Sequence, residues 1–318
     1  MSVPRLLVVG GNGFLGSAIC KAAVGKGWEV SSMRYGIPHV SHGISSGKPF
    51  TTPAGHTPAW VPKVSWHSAS AFSPSSYSSL VSSSTAVVHT LGILLEDQGY
   101  KKAVREGDLM SLAGGFLKGL GGGDGNPLKT AEEKRGGYEG MNRDSALEVL
   151  NTMLSTAPHP SASNEAVKEK TFVYISAADA FRPLVPKKYI ESKREAELEI
   201  AKRCSETGGV RPIFIRPGLM YHPHTRPLST LPAFLIDLSS KLSAALPAPL
   251  QNIPSLFSPQ SAIRGALEGA RTFPLHVDHV ANAVLKCVEN GERRGVVEVD
   301  EMRRWAGFKY SNDAALEH

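Results

Sequence analysis

Four apolar residues, Leu6-Leu7-Val8-Val9, run straight into Gly10-Gly11-Asn12-Gly13-Phe14-Leu15-Gly16, and this junction restricts the fold more than any other stretch. Glycines so dense permit a tight turn and a close approach by another group. Ile19, Ala22, Ala23 and Trp28 then mark a helix that Gly25 and Gly27 terminate, and Glu29–Met33 reads as a second strand. Gly10, Gly13 and Gly16 are spaced by three, and Gly11, Gly13 and Gly16 also satisfy G-x-G-x-x-G. A strand, a glycine turn and a helix in that order let backbone N–H groups at a helix N-terminus hold a pyrophosphate. The plain alternative is a glycine-rich turn with no ligand.

The second strand ends in Ser32-Met33-Arg34, and no Asp or Glu occurs between Val30 and Gly36. An acidic residue there would hold the ribose hydroxyls of NAD, whereas a basic one suits the 2′-phosphate of NADP. Arg34 therefore favours NADP(H) over NAD(H), against the alternative of an arginine that merely faces solvent.

Further strands are expected at Lys63–Trp66, Thr85–Leu91, Thr171–Ser176 and Arg211–Arg216, with helices at Pro74–Ser84, Asn142–Met153 and Lys187–Glu206. Strands alternating with helices predict an α/β chain with a parallel, doubly wound sheet. Residues 36–62 read as a long loop, and the Gly-rich stretch of about 96–140 as a flexible insertion. The expected division is a nucleotide-binding domain over 1–218, a smaller substrate or partner lobe over 219–273, and return elements over 274–311. The tail, 312–318, ends in a vector-like Ala315-Leu316-Glu317-His318 and stays outside the fold.

The second constellation is Tyr189-Ile190-Glu191-Ser192-Lys193. Four-residue spacing puts Tyr189 and Lys193 on one helical face. A phenol has an ordinary pKa near 10, and a neighbouring ammonium lowers it toward use as a general acid and base. On many helices the same spacing is only a surface pair. Here it follows a nucleotide loop and a strand that ends at Ser176.

In this order the residues resemble the short-chain dehydrogenases/reductases of the extended or atypical type, over residues 6–299. Gly10, Gly13 and Gly16 match the family's nucleotide loop, and Tyr189 with Lys193 its catalytic pair. Arg216-Pro217-Gly218-Leu219-Met220-Tyr221 matches the segment beside the nicotinamide, and His276-Val277-Asp278-His279-Val280-Ala281 a late motif that anchors the C-terminal lobe. The resemblance implies a Rossmann sheet and a cofactor contacted by Gly10–Gly16, Ser32, Arg34, His89-Thr90-Leu91-Gly92, Tyr189, Lys193, Pro217, Gly218 and Leu219. Ser176 is the implied donor to a substrate carbonyl. Ala177-Ala178-Asp179 follow it, so a two-residue shift of register would put alanine in that place. Asn142 is aligned with a helix-borne asparagine of the family.

Val9–Gly16, Tyr174–Lys193 and Ile215–Pro223 carry a finer likeness, to the family branch of fungal mitochondrial NAD(P)-binding proteins in coenzyme Q biosynthesis. The accessory nucleotide-binding subunit of respiratory complex I is a more distant relative. This likeness implies a protein on the matrix side of the inner membrane, joined to an assembly of quinone-biosynthetic enzymes. No presequence is read ahead of the first strand, so the expectation is either an internal import signal or a different compartment. Three activities stay open: an oxidoreductase on a carbonyl or quinone, a non-catalytic nucleotide-bound subunit, and a sugar-nucleotide epimerase or dehydratase. The last would need NAD throughout its cycle, which Arg34 opposes.

Composition removes other classes. Lys plus Arg (35) exceed Asp plus Glu (29) by 6, but they form only pairs such as Lys187-Lys188, so no nucleic-acid partner is expected. No apolar run nears the roughly 18 residues of a membrane span. Leu228–Phe257 is rich in Leu, Ala and Phe; most of it reads as lobe core, with part available as a mouth for a prenylated substrate or as a peripheral membrane or partner surface. Three scattered cysteines suit a reducing compartment. Gly43-Ile44-Ser45-Ser46-Gly47 fits G-x-S-x-G but sits in a loop, not at a nucleophile elbow. His222, His224, His276 and His279 lack a cysteine or carboxylate cluster to complete a site, so no metal is expected.

Overall fold

A computed structural model describes residues 3–34, 57–93, 135–157, 169–179, 185–222 and 274–308. Strand β1 (Arg5–Val9) leads through the glycine turn into helix α1 (Phe14–Gly25) and back into β2 (Glu29–Arg34). Then come β3 (Val64–Ser68), α2 (Ser78–Ser83), β4 (Ala86–His89), α3 (Ser145–Thr156), β5 (Lys170–Ile175), α4 (Lys187–Thr207) and β6 (Val210–Ile215). The C-terminal part contributes β7 (Met220–Tyr221), β8 (Leu275–His276), α5 (Val277–Glu289), β9 (Gly295–Val297) and α6 (Val299–Trp305).

Seven strands form one sheet in the order β3-β2-β1-β4-β5-β6-β9, and every neighbour pair in it is parallel. This is the doubly wound sheet expected. A parallel sheet is covered on both faces, so its central strands are apolar throughout. Successive residues then serve opposite cores. Leu6, Val8, Val88, Val173 and Ile213 pack toward α1 and α5, while Leu7, Val9, Val87, Phe172, Tyr174 and Phe214 pack toward α2, α3 and α4. β1 pairs with both β2 and β4, so the strand order reverses beside it. The crevice at that reversal, outside the carboxyl ends of the strands, is where ligands of such sheets bind.

Local sequence explains two departures from the expected elements. The helix expected over Pro74–Ser84 is a 3₁₀ turn, Pro74–Ser76, followed by α2, because Tyr77 turns inward between them. Its side chain is fully buried and its hydroxyl donates to the Ala71 carbonyl at 3.0 Å. The helix expected from Asn142 instead begins with a π-helical turn, Glu139–Asp144, that runs into α3. There Tyr174 donates its hydroxyl to the Asn142 carbonyl, and Ser145 Oγ donates to the Met141 carbonyl at 2.8 Å. Wide turns of this kind often mark functional sites.

The seventh strand, β9, rests on β6 and is anchored by Arg211. That guanidinium is almost wholly buried, donates to the carbonyls of Cys287, Asn290 and Arg293, and reaches Thr171 Oγ1 at 2.7 Å. A cation on the last carbonyls of α5 also meets the negative end of that helix. Most of the insertion expected near 96–140, the loop residues 36–56 with the G-x-S-x-G stretch, the lobe beyond residue 222 and the tail lie outside the described residues. Among the described residues no helix is long and apolar enough to cross a membrane.

Candidate active site

The glycine turn is built by exclusion of side chains. Gly10 has φ +92°, in the left-handed region that favours glycine, and its N–H bonds the Met33 carbonyl at 2.8 Å. A Cβ on Gly16 would lie 2.2 Å from the Gly10 oxygen, and one on Gly11 would lie 2.2 Å from Ser32 Oγ. Gly13 caps α1 without a side-chain hydrogen bond, and no acidic residue occupies the first turn. The helix dipole at that end favours an anion. Asn12 and Gly13 are exposed, while Leu15 enters the core beside Ile19. Ser32 Oγ is buried and has no hydrogen-bond partner among the described residues. Arg34 is the last residue of β2, opposite Ser68, and its side chain lies outside the described residues.

Three residues after β4 join this turn to the second constellation. Thr90 Oγ1 donates to the Val9 carbonyl at 2.8 Å and contacts the Gly10 carbonyl at 3.2 Å. A Cβ on Gly10 would meet Thr90 Oγ1 at 2.7 Å and Leu91 Cδ2 at 2.9 Å. One on Gly92 would meet Asn142 Oδ1 and Lys193 Nζ, each at 2.9 Å. Asn142 accepts the Ile93 N–H at 2.9 Å and donates to Ser192 Oγ at 3.1 Å. Loop and pair therefore meet across Thr90–Gly92.

Tyr189 and Lys193 share a face of α4, Lys193 buried and Tyr189 half-buried. Lys193 Nζ donates to the Ile175 carbonyl at 2.8 Å and stands 4.7 Å from the centre of the Tyr174 ring. Burial lowers its pKa to about 7, with Glu197 opposing. The expected depression of the Tyr189 pKa is not found. Burial pushes that phenol up to about 12, and the cation that opposes the shift is Arg194. Tyr189 is therefore protonated at neutral pH and a proton donor in the first instance.

Arg194, which the sequence pattern did not single out, also donates to Ser176 Oγ at 3.0 Å, to the Ala177 carbonyl at 2.8 Å and to Glu197 at 2.7 Å. Ser176 is buried just past β5, its N–H on the Ile215 carbonyl at 2.8 Å. An Oγ that accepts from arginine keeps its own proton to give. Glu197 is held on its other side by Arg216, so one buried carboxylate spans two guanidinium groups. Beyond β6 the Pro217 carbonyl accepts the Ala178 N–H at 2.8 Å, and the Leu219 carbonyl accepts the Leu275 N–H at 2.9 Å. Gly218 lies between those two ties.

His89 is fully buried at the end of β4, its ring stacked on Tyr174 at 5.9 Å and its Nε2 3.2 Å from Ser145 Oγ. Burial, with the Lys193 charge adding to it, lowers its pKa to about 3, so the ring is neutral. It sits behind the site and braces α3.

No protein-family model matches the chain. Over 304 residues the chain is 34% identical to MIOREX complex component 2 of Saccharomyces cerevisiae, which spans 94% of this chain and 99% of the yeast protein. The chain belongs to the MIOREX complex component 2 family. An uncharacterized chloroplastic protein of Arabidopsis thaliana is 24% identical over 311 residues, or 95% of this chain and 77% of the plant protein. The 3-oxoacyl-[acyl-carrier protein] reductase of Brucella melitensis, solved in complex with NAD, superposes with a TM-score of 0.53 at 12% identity and covers 95% of this chain and 97% of its own. A short-chain dehydrogenase/reductase family oxidoreductase of Burkholderia thailandensis does so with 0.51 at 13% identity, over 94% and 92%. The fold of this MIOREX complex component 2 relative is thus that of the short-chain dehydrogenases/reductases.

Burial of Lys193 makes a test of the site possible without substrate. Its ordinary pKa of 10.5 falls to about 7 on folding, so between these values the unfolded chain binds a proton that the folded chain lacks. Stability then rises with pH through that window, and below pH about 7 the full burial penalty applies. The gain approaches, at most, about 1.4 kcal/mol per pH unit. Urea unfolding at pH 6.5, 7.5 and 8.5 should show the wild type gaining on a Lys193→Met variant at each step. A constant difference between the two would show that Lys193 is not desolvated.

Proposed function

We propose that this chain is an NADP(H)-binding oxidoreductase acting on a carbonyl or quinone-type substrate. We place it in a mitochondrial assembly, on the matrix side of the inner membrane, that makes coenzyme Q. What supports this reading is that Thr90–Gly92 meet the glycine turn on one side and Lys193 and Asn142 on the other, with Tyr189 one helical turn from Lys193. The cradle suits a dinucleotide: its glycines leave no room for Cβ atoms, no side chain caps the helix end, and a buried hydroxyl at Ser32 has no hydrogen-bond partner among the described residues. Bound there, a reduced nicotinamide supplies the hydride.

The chain's own residues divide the remaining work. Gly10–Gly16 turn backbone N–H groups toward the pyrophosphate. Lys193 fastens the ribose, and Tyr189 gives a proton to the substrate oxygen. Ser176, polarised by Arg194, donates to the same oxygen. Membership of an assembly rests on the name of the yeast relative, a complex component. A second reading, a nucleotide-bound subunit without turnover, draws support from the raised Tyr189 pKa and from a Lys193 already bonded to the Ile175 carbonyl.

Titration with NADPH and NADH tests the cofactor reading. Tighter binding of NADPH by tenfold or more, roughly 1.4 kcal/mol, is expected, and Arg34→Asp should abolish or invert the preference. Equal affinities in the wild type would remove Arg34 from the site.

A further inference from the structure

Two histidines and an aspartate far apart in the chain converge at the start of α5. His222 follows β7, His276 ends β8 and caps α5, and Asp278 lies in the first turn of that helix. Pairing of the two short strands sets Tyr221 opposite His276 and so brings the next residue, His222, alongside. The rings of His222 and His276 are centred 4.9 Å apart. One ligand atom from each of His222, His276 and Asp278 falls within 4.8 Å of the others, and all three residues are half-buried. Spacing along the chain shows no carboxylate cluster with these histidines; the pairing of β7 with β8 brings His222 to His276 and Asp278.

We propose that His222, His276 and Asp278 bind one divalent first-row transition ion of the zinc type. Two imidazoles and a carboxylate are a donor set that zinc accepts, and with bonds of about 2.0–2.2 Å its ligand atoms sit about 3.4 Å apart. His276 Nδ1 and Asp278 Oδ2 are already 3.9 Å apart. Water completes the tetrahedron on the open side. Two interactions of Asp278 yield to the ion. One is the 3.2 Å hydrogen bond from the Asp278 N–H to His276 Nδ1, and the other is the 3.7 Å approach of Lys21 to Asp278, an exposed pair of small worth. Beside the triad, His279 packs on His276 at 5.7 Å, and its buried Nδ1 has no hydrogen-bond partner among the described residues. The ion ties β7, the continuation of the Pro217–Leu219 segment, to the N-terminus of α5. It acts mechanically, by fixing that segment to the helix.

The experiment titrates zinc into the metal-stripped chain, free of any added histidines, by calorimetry against a competing chelator, with melting curves run in parallel. Wild type should take up one equivalent and melt at a higher temperature when loaded. His222→Ala and Asp278→Asn should each weaken binding by about tenfold or more, since even the loss of an outer hydrogen bond to a ligand costs that much. Both should also lose the shift in melting. Melting without metal shows whether each variant folds. If His222→Ala does not, Asp278→Asn decides alone, because it keeps the shape and the backbone N–H at that position. Failure of wild type to bind zinc at 100-fold excess, or equal binding by a folded variant, overturns the site.

Discussion

Tyr189→Phe is expected to lower turnover by about 10² to 10⁴, the usual worth of a positioned general acid, while nucleotide affinity and melting temperature stay near wild type. The change removes one oxygen and leaves the ring, whose edge packs on Tyr138 with centroids 6.5 Å apart. Because burial raises this phenol to about 12, it carries its proton throughout the neutral range and can deliver it once per cycle. Coenzyme Q content in a yeast strain lacking the MIOREX complex component 2 relative offers the readout, with native and variant chains at matched levels. Rescue by the native chain alone means that the hydroxyl is used. Equal rescue by both identifies a subunit that holds nucleotide without turning it over. If neither restores the quinone pool, the coenzyme Q reading is abandoned.

Gly16→Ala is the larger structural insult. Its Cβ would lie 2.2 Å from the Gly10 oxygen and 2.8 Å from Gly11 Cα, both backbone atoms that no side-chain rotation can move. Nor can Gly10 retreat easily. Its N–H is bonded to the Met33 carbonyl, Thr90 Oγ1 lies against its oxygen, and φ +92° suits only glycine. Overpacking of this sort costs about 1–3 kcal/mol and occasionally more. The turn must open to accept the methyl, so NADPH binding should weaken at least about 100-fold, or about 2.7 kcal/mol. Gly25→Ala is the matched control. It meets nothing within 4 Å on the same helix, and adding a methyl in a helix raises propensity. Calorimetric titration and thermal melting of both variants give the comparison; near-normal NADPH binding by Gly16→Ala would mean that the turn is not the cradle.

Much of the first half of this molecule was legible in its sequence. Parallel strands buried on both faces must be apolar almost continuously, so Leu6–Val9, Val87-Val88 and Phe172–Ile175 announce themselves. Gly10–Gly16 is legible for a related reason: the constraint there is local, and only glycine satisfies it. Tyr189 and Lys193 are one helical turn apart, again a local relation. The two-residue strands β7 and β8 and the three-residue β9 are too short to carry a periodic signal, and they exist because distant segments pair.

What the tertiary structure alone decided lies in contacts between residues remote in sequence, and in burial. Asp278 completes a triad with His222 only because β7 and β8 pair although about 50 residues of chain separate them. Arg194 reaches Ser176 because α4 packs back over the end of β5. The same packing buries Lys193 against the Ile175 carbonyl and the Tyr174 ring, and desolvation there sets its proton affinity. Spacing specified which groups share a helical face. It did not specify which groups lose water, because desolvation depends on every element packed around the site.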